Sequence, residues 1–81
     1  MEDRIALVGI IIHGQDSIWE VNDILHAYGH KIQGRMGLPR VEDGVAIISV
    51  VVKAPQPDIS AMTGKLGKLA GVNCKALYAK Q

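Results

Sequence analysis

Apolar positions along the chain fall into six segments, and their period changes from one segment to the next. "RIALVGIII", from Arg4 to Ile12, is rich in β-branched residues and apolar on both alternating sides, which predicts a strand. A helix follows it. Ser17 stands as an N-cap with Glu20 three residues later, a capping box, and Ile18, Val21, Ile24, Leu25 and Tyr28 recur at helical spacing. Gly29 is placed to end that helix in a left-handed cap. "HKIQGRMGL", His30 to Leu38, predicts a second and weaker strand, because Gly34 and Gly37 sit inside it. "PRVEDG", Pro39 to Gly44, predicts a turn.

The second half repeats the scheme. "VAIISVVVK", Val45 to Lys53, predicts a third strand, again apolar on both sides. "APQPD" breaks it, and Asp58 is placed to cap a second helix whose inward stripe is Ile59, Met62, Leu66 and Leu69. Gly71 stops the helix, and "VNCKALYAK", Val72 to Lys80, predicts the last strand. The order β-α-β-β-α-β is that of a ferredoxin-like α+β sandwich. It predicts a four-stranded antiparallel sheet with two helices on one face, in a single domain over residues 1–81.

That architecture conflicts with the pattern in one respect. Helices cover one face of the sheet, yet the first and third strands are apolar on both. Ile5, Leu7 and Ile11 alternate with Ala6, Val8, Ile10 and Ile12, and Val45, Ile47 and Val51 alternate with Ala46, Ile48, Val50 and Val52. One set would face water in a monomer, so the pattern predicts a homo-oligomer packed through the helix-free face. Val50 is taken as an outward position in that register.

Composition narrows the class. A chain of 81 residues buries only about 60% of its unfolded surface, so a small domain of this kind needs reinforcement. Cys74 is the one cysteine, which rules out an intrachain disulfide and fits a reducing cytoplasm. The opening "MEDRIALVGIIIHG" has acids before its apolar run, and that run is too short to cross a membrane, so neither a signal peptide nor a membrane location is expected. A net charge of +1 leaves no basic field for nucleic acid. Phenylalanine is absent, so the core must be aliphatic.

Candidate chemistry is sparse. His13, His26, His30 and Cys74 are metal-ligand types, but no CxxC or HExxH spacing joins them, and Gly29 separates His26 from His30. No metal site is assigned, although ligands pooled from two subunits stay open. "GKLGKLAG", Gly64 to Gly71, lacks the Ser or Thr and the strand-to-helix position of a phosphate loop, and the helical stripe runs through it. The loop "HGQDS" joins a strand to a helix N-terminus, where unpaired backbone N–H groups attract anions. His13, Gly14, Gln15 and Asp16 are therefore candidate ligand contacts. Gly34, Arg35 and Gly37 join them: the glycines suit an edge strand approached by another chain or a ligand, and Arg35 offers a planar fork for a carboxylate or phosphate. In ferredoxin-like order the second strand lies away from the first, so these two groups are expected to meet only across a subunit boundary.

From Arg4 to Lys80 the chain resembles the small iron-only hydrogenase system regulators, through "VGIII", "VNDILHAYGHKIQGRMGLP", "GVAIISVVV" and "ISAMTGKLGKLAGV". The resemblance implies a ferredoxin-like fold akin to ACT domains and to the C-terminal domain of nickel-responsive repressors. Those relatives are oligomeric sensors of small molecules or metals. It also implies an association with [FeFe]-hydrogenase maturation without giving a molecular activity. Arg40 stands where the family carries an aromatic residue after GRMGLP, and the "HGQDSIW" loop is less acidic than the family's. The nickel sensors' histidine pattern is missing, so nickel binding is not carried over.

Together the residues and the resemblance point to a non-enzymatic, ACT-like regulatory domain. It is expected to act as a cytoplasmic homo-oligomer that binds a small anionic ligand or a hydrogenase-system protein, with no identified cofactor and no direct contact with nucleic acid or membrane. The alternative is a metal-binding accessory protein in hydrogenase maturation. No nucleophile–base pair speaks for an enzyme.

Overall fold

The computed structural model describes residues 2–80. Its elements follow the order β1 (Asp3–His13), α1 (Ile18–Ala27), β2 (Ile32–Glu42), β3 (Val45–Pro55), α2 (Gln56–Gly67) and β4 (Val72–Tyr78). The four strands form one antiparallel sheet in the order β2-β3-β1-β4, the ferredoxin-like arrangement. β1 and β3 pair over their full length, from Asp3 opposite Pro55 to His13 opposite Val45.

Alternation along β1 and β3 separates two faces of different fate. Ala6, Val8, Ile10 and Ile12 of β1 and Val50, Val52 and Ala54 of β3 are buried. They pack in one cluster with Val21 and Leu25 of α1 and Ile59, Met62 and Leu66 of α2, so both helices lie on the same face. Val50 is fully enclosed in this cluster, not outward as the sequence register had it; the outward positions are its odd-numbered neighbours. Period-2 alternation alone cannot say which of two apolar sets meets the helices, because both satisfy it.

The opposite face carries Ile5, Leu7 and Ile11 of β1, Ile47 and Val51 of β3, Met36 and Leu38 of β2 and Leu77 of β4 in adjoining register rows. Leu7 lies between Val51 and Leu77, and Ile47 between Leu38 and Ile11. Among the described residues no element covers them. Leu7 is 46% exposed and Leu77 71%.

Local stop signals differ from expectation in five places, one of them at α2, which ends at Gly67 and leaves Leu69 and the expected stop at Gly71 in the turns before β4. Ser17 precedes α1, but its hydroxyl makes no capping bond; it donates to the Ala70 carbonyl at 2.8 Å and ties the start of α1 to the approach of β4. A long-range acceptor has displaced the local one, so the capping box does not form. Gly29 opens a short 3-10 turn, Gly29–Lys31, instead of adopting a left-handed cap, and that turn takes up His30 and Lys31. α2 begins two residues before Asp58, with Pro57 in its first turn, and Asp58 pairs with Lys31 at 3.3 Å instead of capping. β2 runs on through Glu42, leaving only Asp43 and Gly44 as the turn, with Gly44 at a φ of +76°.

Pro39 is tolerated in β2 because this is an edge strand and Pro39 falls between Leu38 and Glu42, where regular pairing with β3 is interrupted. The register slips twice there, between Ile32 and Gly34 and again between Leu38 and Glu42. Gly34 therefore sits at a bulge, as the glycines suggested, whereas Gly37 is in regular pairing with Ile48. At the other end of the sheet Gly71, at a φ of +75°, follows α2 by four residues. A Cβ there would lie 2.4 Å from the His13 carbonyl oxygen.

Candidate functional site

α1 crosses the helix-side face beside the edge strand, and its first turns leave two adjoining clefts against β2 and β3. The first, of about 240 Å³, is lined by Ile12, Ile18 and Asn22 on one side and by Arg35, Gly37, Pro39, Ala46 and Ile48 on the other. The second, of about 320 Å³, is bounded by Gly14 and Gln15 of the loop after β1 and by Arg40, Asp43 and Gly44 of the β2–β3 turn. Ile18, Pro39 and Ala46 line both.

Local chemistry fixes the walls. Gly14, at a φ of +78°, turns the chain out of β1, and its N–H donates to the Gly44 carbonyl at 2.7 Å, pinning this loop to the hairpin. On α1, Asn22 donates through Nδ2 to the Ile18 carbonyl at 3.1 Å and accepts at Oδ1 from Arg35 Nη2 at 2.9 Å. Alternation in β2 puts Arg35 and Gly37 on the helix side, opposite Val50 and Ile48. Arg40 is hydrogen-bonded to Asp43, so the guanidinium in the second cleft has its counter-charge within the same turn.

The residues singled out from the sequence divide accordingly. Arg35 and Gly37 line the first cleft, and Gly14 and Gln15 the second. The two pairs thus line adjoining clefts of one chain, bridged by Ile18, Pro39 and Ala46, and no single cleft takes all four. The β2–β3 hairpin reaches back to the β1–α1 loop through the Gly14–Gly44 hydrogen bond, and Arg35 of β2 reaches Asn22 of α1. His13, Asp16 and Gly34 line neither cleft; His13 donates its N–H to the Gly71 carbonyl at 2.7 Å, and Gly34 lies on the open face opposite Val51. Asn22 carried no signal in the sequence, and Ile18, Pro39 and Ala46 had signalled only a helix stripe, a turn and a strand face. Asn22 and Arg35 are 13 residues apart, a pairing that only the register of β2 reveals.

The metal-ligand types are dispersed. His13 ends β1, His26 is in the last turn of α1, His30 lies in the 3-10 turn, and Cys74 faces the helix side of β4 opposite Ile10. Among the described residues no three His, Cys, Asp or Glu side chains come close enough to hold a metal ion. Burial pushes the Cys74 thiol above its ordinary pKa, which makes it a poor nucleophile at neutral pH. Among the described residues no helix is long and apolar enough to cross a membrane.

No curated protein matches the chain significantly. Among solved structures it is similar to "uncharacterized protein TM1266 from Thermotoga maritima", at 34% identity and a TM-score of 0.90, over 98% of this chain and 100% of that one. The TM1266-like family, described as "Iron-only hydrogenase system regulator, putative", matches residues 4–76. With that match over nearly its whole length, the chain belongs to the TM1266-like family.

Proposed function

We propose that this chain is a non-enzymatic regulatory domain of the ACT-like type, acting in the cytoplasm as an assembly of copies of itself. In that form it senses a small anionic ligand or docks a protein of the iron-only hydrogenase system. The observation that carries the proposal is the apolar helix-free face. Ile5, Leu7, Ile11, Met36, Leu38, Val51 and Leu77 are each between 37% and 71% exposed and stand in one continuous field. A second copy laid on that face would bury on the order of 600 Å² of apolar surface per copy, close to the ~800 Å² per partner of a standard interface. A face that matches itself favours a two-fold pair. The family's description as a regulator supports the non-enzymatic part.

Sedimentation velocity tests the assembly. The wild type should run as a dimer or larger species at micromolar concentration, and Val51→Asp should run as a folded monomer, because a carboxylate at the centre of a dry interface has no partner. A wild type that stays monomeric at that concentration would sink the proposal.

A further inference from the structure

The two clefts beside α1 differ in what they can hold. In the second, Arg40 is already compensated by Asp43. In the first, Arg35 is the only charged residue among the walls, and among the described residues no carboxylate lies within salt-bridge distance of it. Its guanidinium is nevertheless steadied: one Nη donates to Asn22, which is itself anchored on the Ile18 carbonyl, and the other donors remain available. The remaining walls are mainly Ile12, Ile18, Pro39, Ala46 and Ile48. A cation on the wall of an apolar cleft is complementary to a carboxylate with a hydrocarbon body. An α-ammonium group on the same molecule would find no acid in the cleft and would lose its hydration without a partner.

We infer that the α1–β2 cleft binds a short aliphatic monocarboxylate, its carboxylate on Arg35 and its chain against Ile18 and Ile48. This rests on the ligand-sensing part of the proposed function and names the ligand class. A volume of about 240 Å³ is below the usual range for drug-sized ligands and suits a chain of about five or six carbons. Asn22 acts as a positioning residue for the guanidinium.

An amide-resolved NMR titration of the full chain with isocaproate, isocaproamide and leucine tests the assignment, since leucine is isocaproate with an α-ammonium group. Isocaproate should shift the amides of Ile18, Asn22, Gly37 and Ile48 saturably. Isocaproamide and the Arg35→Gln variant should each weaken binding by about tenfold or more, the loss expected for one charge-assisted pair, and leucine should weaken it by a similar factor because its ammonium is desolvated without a partner. Absence of saturable shifts with isocaproate, shifts that map away from the cleft, or unchanged affinity in Arg35→Gln would overturn the site. Leucine binding as tightly as isocaproate would overturn the ligand class. Sedimentation of the same samples separates the two proposals: an assembled protein that ignores isocaproate defeats only the cleft, and a monomer that binds it defeats only the assembly.

Discussion

Gly71 is the residue whose identity the fold constrains most directly. Its φ of +75° disfavours any side chain, and a Cβ would meet the His13 carbonyl oxygen at 2.4 Å, the carbonyl of a residue whose own N–H bonds Gly71. Gly44 has a similar φ of +76° but open space around it. Gly44→Ala should therefore cost about 1 kcal/mol and Gly71→Ala at least ~2 kcal/mol, a fall in Tm of about 10 °C or more for the latter. Thermal unfolding of both variants checks the difference, and equal losses would show that the backbone contact is relieved cheaply. Cys74 gives a pH dependence. Its folded pKa is raised by burial, so the native state keeps the proton longer than the unfolded chain does. The contribution is complete below the unfolded pKa and fades as pH rises through the folded one. Alkylation by iodoacetamide should be slower than for free cysteine and should rise at higher pH. A rate matching free cysteine would place the thiol in solvent.

At the scale of elements, β2 and α1 show where sequence patterns carry far and where they stop. The existence and type of the six elements were legible, five of them from apolar periodicity, because burial of one face stabilises them; β2, exposed after Ile32, is held by its pairing with β3. The ends do not follow. Ser17 has a suitable side chain for a cap, yet the Ala70 carbonyl, 53 residues away, takes its hydrogen bond. Gly29 could adopt a left-handed cap, yet the chain continues into a 3-10 turn. Each local signal was one of two acceptable outcomes, and contacts distant in sequence chose between them. β2 also permits a test of its glycines. A Cβ at Gly37 meets nothing within 4 Å and its φ is not positive, so Gly37→Ala should leave stability unchanged or raise it by about 0.5–1 kcal/mol. A marked loss of Tm in this variant would mean that the strand is packed more tightly than its surroundings show.

For the whole molecule, the open apolar face dominates. If copies assemble through it, the unfolding midpoint must rise with protein concentration, since association stabilises only the folded state. A Tm series over a hundredfold dilution should fall steadily for the wild type and stay flat for Val51→Asp. A flat wild-type series would argue against assembly in that range. The three 11-residue strands β1, β2 and β3 run along a chain whose long axis is 40 Å against 19 and 18 Å across, so one broad face is presented whole.

The sequence by itself determined the element order, the ferredoxin-like topology, the aliphatic core and the surplus of apolar faces. Those properties are carried by period and composition, which any register preserves. It did not determine that Ala6, Val8, Val50 and Val52 face the helices while Leu7 and Val51 face outward, because both sets are apolar and a one-residue choice exchanges them. Nor did it determine the cleft. Arg35 and Gly37 were visible as unusual residues, but their meeting with Ile18 and Asn22 depends on where α1 lies beside β2 and on the slip in β2 at Gly34. Such encounters are settled by packing between elements far apart in the chain, and only the tertiary structure decides them.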